Sequence, residues 1–255
     1  MNKAKITRAG KITNAAIILL GREESEHFLS PSVCVIRWKL LAKDDKNKDF
    51  HNFHVPMIKS VEEITTGYIR NNNYVYTVSG NIFPENMMRY DVFTLREPIC
   101  NAIGHQDYGM GARIELLEYE DEKLVIQNYG QFIPNSVEDV VEKDCPDSRY
   151  RNPFLMEAMC NIGMAETEGG GIRKLFVQQR KRFFPMPIYD LSGQKVRCEI
   201  QGKVLNENFA KILVNNPTLS LPEIIMLDKV QKREYSSLTD DAVALLRQKK
   251  FVEGR

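Results

Sequence analysis

The sequence predicts an α+β chain that ends in a small all-helical module. Short runs rich in β-branched and aromatic residues recur over roughly the first two hundred positions, separated by segments with helical spacing. The last fifty or so residues carry helix caps and helix-spaced apolar positions, with little that reads as strand. Composition agrees: 255 residues, 43% hydrophobic and 27% charged, are ordinary for a globular protein and argue against disorder. A chain of this length buries enough surface to fold without disulfides or a structural metal.

Residues 14–21 form a short continuous apolar run closed by Gly21, which reads as a buried strand. Residues 32–41 read as a second strand, and residues 43–48 as a solvated loop or hairpin tip. Residues 55–70 place Ile58, Val61, Ile64 and Tyr68 at helical spacing, and Asn71, Asn72 and Asn73 stop that helix. Residues 74–78 return as a strand. Asp91 can cap a helix with Val92, Leu95, Ile99, Ala102 and Ile103 on its apolar face, and Pro98 inside it predicts a kink. Residues 112–119 and 123–127 read as strands around an acidic turn, followed by a turn at 128–130 and an irregular stretch from 132 to about 150. Residues 152–162 are helical, with Gly163 as the C′ glycine. Gly169, Gly170 and Gly171 precede a helix over 172–182, and residues 189–193 and 196–204 look like a closing hairpin. Residues 209–214 carry a first terminal helix; a capping box at Ser220 and Glu223 opens a second; Thr239 caps a third over 240–250, with Val243, Leu245 and Leu246 inward. Three helices in this span fit a helix-turn-helix-type module.

Thirty-five Lys and Arg against 34 Asp and Glu give a net charge of +1, which excludes a uniformly basic nucleic-acid coat and an acidic tail but not a local basic patch. Five cysteines, an odd number without a C-x-x-C pair, point to a reducing, cytoplasmic setting and not to a disulfide framework. The apolar run 15–20 is too short to span a bilayer and has a poor cleavage region for a signal peptide, so no membrane partner is expected.

Glu97, Asn101 and His105 follow one another at intervals of four and share a helix face. A carboxylate and an amide one turn apart can hold a hydrated divalent cation and orient a water; equally, they can be a polar surface with His105 at the helix end. Gly169–Gly171 before Arg173 and Lys174 can cradle phosphate, or be a flexible turn that starts a helix. Asn128, followed by Tyr129 and Gly130 at a strand end, can meet a base edge, though a ligand-free turn is the commoner meaning. His51 and His54 have metal-like spacing but no third ligand nearby, so they read as loop histidines. Gly109-Met110-Gly111 is no dinucleotide fingerprint, and no P-loop motif occurs. Lys229, Lys232 and Arg233, placed on the loop between the last two helices, can meet DNA phosphates, or form a solvated loop partly cancelled by Asp228 and Glu234.

Four motifs then occur in order over roughly 200 residues: Arg96-Glu97-Pro98 with Asn101-Ala102 and His105-Gln106-Asp107-Tyr108; Asn128-Tyr129-Gly130; Arg151-Asn152-Pro153 with Leu155 and Glu157-Ala158; and Glu166 with Gly169-Gly170-Gly171-Ile172. The opening stretch 10–16 is similar too. Together they resemble bacterial and archaeal transcriptional regulators labelled RecG-like helicase C-terminal proteins, whose core is a divergent GHKL (histidine-kinase/gyrase-type) ATPase domain. The resemblance implies a two-layer α/β sandwich followed by a C-terminal winged helix. The divisions expected are 1–90 for entering strands and a helix on the core sheet, 91–204 for the ATP-binding domain and 205–255 for the DNA-binding module, its wing cut short at 253–255. The family's AlbA-like nucleic-acid-binding domain would precede residue 1.

By the same resemblance Glu97 is the general base and Asn101 the Mg²⁺ ligand. Asn128 stands where an adenine-reading Asp usually does, Gly169, Gly170 and Gly171 line the phosphates, and His105, Asp107 and Gly130 complete the cofactor-binding set. The chain departs from the pattern at Pro98, at Gln106 in place of Arg, at Asn128 and at Tyr129 in place of Pro. The function implied is an ATP-binding, DNA-binding transcriptional regulator without helicase motor motifs, at most a weak Mg²⁺-dependent ATPase and open to homo-oligomerisation. The alternative is a degenerate scaffold that serves dimerisation or partner binding without nucleotide.

Overall fold

The computed structural model describes residues 6–70, 72–76, 85–134, 136–142, 149–165 and 170–252. Chain order begins with a hairpin of β1 (Thr7–Arg8) and β2 (Lys11–Ile12), then α1 (Asn14–Leu20), β3 (Ile36–Leu41), β4 (Asn47–Phe53), α2 (Met57–Glu63), a second hairpin of β5 (Asn73–Tyr76) and β6 (Glu85–Met88), and α3 (Val92–His105). There follow β7 (Ile114–Tyr119), β8 (Lys123–Tyr129), α4 (Val137–Glu142), α5 (Pro153–Asn161), α6 (Gly171–Lys181), β9 (Ile188–Asp190) and β10 (Lys195–Gln201), and finally α7 (Glu207–Asn215), α8 (Leu221–Gln231) and α9 (Asp240–Gln248). This is a mixed α+β fold.

Six strands form one mixed sheet in the order β4-β3-β7-β8-β10-β9. β3 and β7 run parallel, and the other neighbouring pairs are antiparallel. The parallel pair needs a long crossover, which α2, the β5–β6 hairpin and α3 supply. Alternation along the strands sends Ile36, Trp38, Leu116, Leu124, Ile126, Cys198 and Ile200 into one core with Leu95, Ile99 and Ile103 of α3. Trp38 is fully buried and its indole N–H donates to Glu118 Oε2 at 2.9 Å, while Glu118 Oε1 accepts from the Arg70 amide at 3.0 Å. A second cluster joins Phe209, Leu213, Ile224, Leu227 and Leu246 of the last three helices to Val141 of α4 and Phe176 of α6. The described residues beyond β10 hold these three α-helices and no strand.

Several sequence expectations change. The run at 14–21 is a helix, because Thr13 accepts from the Ala16 amide and caps it, and apolar periodicity over so few residues does not separate helix from strand. β4 was not expected: it is an edge strand with polar and exposed positions, paired with β3 across a turn at 42–46 and taking in residues 47 and 48 of the expected loop. His51 therefore stands in a strand, ring-edge on Phe53 at 4.7 Å, while His54 Nδ1 faces Glu26 Oε2 at 3.1 Å. β8 runs on through Tyr129, so Asn128 lies within a strand and not on a turn. The stretch after 132 contains α4. Asp91 caps α3 through the Thr94 amide, and α3 continues past Pro98 to His105. Gly163, at φ +75°, ends α5 as expected. Ser220 and Glu223 close the capping box, which Lys249 also joins. Lys229 lies in α8 and not on a loop.

The expectations at Asn71, at residues 77 and 78, at Cys145, at Gly169 and at the terminal 253–255 lie outside the described residues. Cys34, Cys100, Cys160 and Cys198 are free thiols. No helix among the described residues is long and apolar enough to cross a membrane.

Candidate functional site

α3 sets one wall of a solvent-open cleft. The 3.6-residue repeat that sends Ile99 and Ile103 into the core turns Glu97, Asn101 and His105 toward this cleft. Asn101 Nδ2 donates to Glu97 Oε1 at 2.9 Å, so the two polar side chains act as one unit. That bond leaves the Asn101 amide oxygen as the group that can accept or ligate. Glu97 is 9% exposed, and its carboxylate packs directly on Gly171, where an added Cβ would overlap it. Gly171 opens α6, and Gly170 before it takes φ +78°, a left-handed conformation that favours glycine. The positive end of α6 thus meets the carboxylate.

The floor comes from the sheet. Ile126, Val196 and Cys198 give it an apolar surface, and Asn128 gives it one polar group. Asn128 is 5% exposed and its amide nitrogen donates to the Tyr129 carbonyl at 3.2 Å, which leaves its oxygen as an acceptor. Tyr150, Met156 and Tyr189 close the sides, and Arg149 stands at the rim. Burial pushes the thiols of Cys100 and Cys198 up to about 12, so neither supplies a thiolate nucleophile near neutrality.

The end of α3 is fastened by residues of the sequence motifs that do not enter the cleft. Gln106 is fully buried: its amide nitrogen donates to the Ala112 carbonyl at 2.7 Å and its oxygen accepts from the Tyr129 amide at 2.9 Å. Asn152 Nδ2 donates to the carbonyls of Gly104 and Gln106 at 3.1 and 2.8 Å. Asp107 caps the next turn through the Gly109 amide at 3.1 Å and faces Arg151 at 3.6 Å. Gly130, at φ +116°, lets the chain pass Arg151 and the His105 carbonyl, since a Cβ there would come within 2.7 Å of Arg151 Nε. Asp107 and Gly130 therefore hold the rim and stand apart from the cleft lining.

His105 lines the cleft, 5.4 Å from the Tyr150 ring. Burial first, and the Arg151 charge second, pull its pKa down to about 4, so the ring is neutral at pH 7. The folded pKa lies below the free value of 6.5, so the stabilisation is whole above pH 6.5 and is lost as pH falls toward 4. Urea unfolding should show a fall approaching roughly 3 kcal/mol at the acid end, and His105→Gln should flatten it. Equal pH slopes in the two proteins would contradict this assignment.

Of the terminal cations, Lys229 faces Glu138 at 3.5 Å. Lys232 is held by Asp228 and by the Met186 carbonyl at 3.0 Å. Arg233 is exposed in a left-handed conformation at φ +62°. Among the described residues no group of three metal-ligating side chains occurs.

Sequence reasoning brought out Glu97, Asn101, His105, Asn128, Gly170 and Gly171, and the fold places all six on one cleft. It missed Ile126, Tyr189 and Cys198, which alternation puts on the inner sheet face but which only tertiary pairing brings under α3.

Residues 111–200 match the family model described as "Putative ATP-dependent DNA helicase recG C-terminal". The match takes in Asn128 and the glycine turn, while Glu97 and Asn101 precede it. No curated protein matches the chain. Among solved structures it is similar to the crystal structure of the DIP2311 protein from Corynebacterium diphtheriae, with 16% identity and a TM-score of 0.66 over 94% of this chain and 48% of that one. The chain spans about half the length of that structure, and the likeness is one of fold.

Proposed function

We propose, from the RecG C-terminal-like ATPase-type domain that residues 111–200 form, that the cleft binds ATP. One observation carries the reading: Glu97 and Asn101, Asn128, and Gly170 with Gly171 come from three separate segments and line one cleft. The flat apolar floor around Ile126 and Cys198 suits a purine, with the Asn128 oxygen accepting from its amino group. The start of α6 suits the phosphates.

Mg²⁺ fits the donor set. One free side-chain oxygen on Asn101, without a cluster of protein ligands, suits a nucleotide-borne Mg²⁺, because this ion keeps waters and takes phosphate oxygens. Asn101 would hold it through its amide oxygen, and it would supply charge neutralisation to the phosphates. Glu97, next to that position, is the proposed base for a weak hydrolysis. Isothermal titration of ATP-Mg²⁺ into the folded chain should give a Kd below roughly 1 mM. A titration without heat from folded protein would select the nucleotide-free scaffold, which the amide in place of a carboxylate at 128 favours.

DNA contact through α7–α9 and a role in transcriptional regulation complete the reading, on the motif resemblance and on three short helices. Lys232 is held by Asp228 and the Met186 carbonyl, while Lys229 faces Glu138 at the longer distance of 3.5 Å, so the contact falls first to Arg233 and then to Lys229. Arg233→Glu with Lys229→Glu should weaken DNA binding for every sequence and lower the salt slope. An unchanged slope would remove this surface from the interface.

A further inference from the structure

A second cavity opens between the β1–β2 hairpin, α1 and the start of α5. It is separate from the cleft, and neither the family match nor the proposed nucleotide reading gives it a role. Its floor is apolar, formed by Ile18, Leu29 and Phe154. The charged side chains among its described lining are two arginines, Arg8 and Arg151, with no carboxylate. Arg151 Nε is buried without a hydrogen-bond partner, and the same guanidinium faces Asp107 at 3.6 Å. Two guanidinium groups against the one carboxylate of Asp107 leave a single positive charge, carried by the exposed Arg8, at the edge of the apolar floor.

We propose that this cavity is a second ligand site that takes a small monoanionic acid with an apolar body, its carboxylate held by Arg8 and Arg151. A guanidinium binds a carboxylate by charge-assisted hydrogen bonds, and apolar walls take up the rest of such a molecule. A dianion would exceed the available charge, and a neutral chain would gain nothing from the two guanidinium groups. Arg151 also donates to the Gln131 carbonyl at 3.1 Å, and Gln131 lines the cleft, so the two sites share a wall.

The test is calorimetric titration of octanoate into the full chain, with octan-1-ol as the neutral counterpart, each with and without saturating ATP-Mg²⁺. Octanoate should bind saturably, octanol at least about tenfold more weakly, and octanoate should still bind when ATP-Mg²⁺ is present. Arg8→Ser should weaken octanoate at least about tenfold. Ser32→Trp, which puts an indole into the lining, should abolish the binding while circular dichroism reports a folded chain. Equal binding of octanoate and octanol, binding unchanged in Arg8→Ser, simple competition by ATP-Mg²⁺ or no saturable heat would each overturn the proposal. Failure of the nucleotide reading leaves the octanoate result untouched, so the two fail separately.

Discussion

Gly171→Ala is expected to destabilise the protein and to weaken ATP-Mg²⁺ binding at least about tenfold, a loss of roughly 1.4 kcal/mol. The sign is the informative part. At an ordinary helical position alanine is better than glycine by about 1 kcal/mol, so the substitution should stabilise α6 if Gly171 were only a helix residue. Its Cβ would instead overlap the Glu97 carboxylate, which the Asn101 amide and the packing of α3 hold in place. Overpacking of this kind costs about 1–3 kcal/mol, enough to reverse the propensity gain. The double variant Glu97→Ala with Gly171→Ala removes the overlap and should recover most of the lost stability, a coupling that a mutant cycle measures. A more stable Gly171→Ala protein with unchanged binding would mean that the carboxylate does not rest there.

Glu97→Ala is expected to lower any ATP turnover by about 10²–10⁴-fold while leaving ATP-Mg²⁺ affinity nearly intact. A general base acts on the chemical step, so kcat falls and binding does not. Removal of a carboxylate from the start of α6 also takes away a negative charge that repels phosphate, so affinity should hold or rise slightly. Steady-state kinetics beside calorimetry separates these effects. Parallel loss of binding and rate would assign Glu97 to holding the nucleotide and leave the base unnamed.

Much of the site was legible because its polar residues sit where local chemistry makes them conspicuous. Three polar positions at intervals of four mark one helix face, and consecutive glycines before a helix mark a close approach. The closing hairpin and the capping box at Ser220 were readable for the same local reasons. α1 was not, since a seven-residue buried helix and a buried strand share one apolar pattern. β4 was hidden because an edge strand needs no alternating apolar face. Gln106 and Asn152 look in sequence like members of the binding motifs, yet Asn152 bonds the carbonyls of Gly104 and Gln106 at the end of α3 and Gln106 bonds the Ala112 carbonyl and the Tyr129 amide, which only the packing of α5 and β8 against that end reveals. Lys232 reads in sequence as available for DNA, but Asp228, four residues before it in the last turn of α8, holds it.

The most direct measurement is the structure of crystals grown or soaked with a non-hydrolysable ATP analogue and Mg²⁺. The account predicts phosphate density between Asn101 and the Gly170–Gly171 turn, with the base against Ile126 and its amino group at the Asn128 oxygen. Density elsewhere on the chain, or a cleft still filled by Glu97 and Asn101 at analogue concentrations above 1 mM, would contradict it.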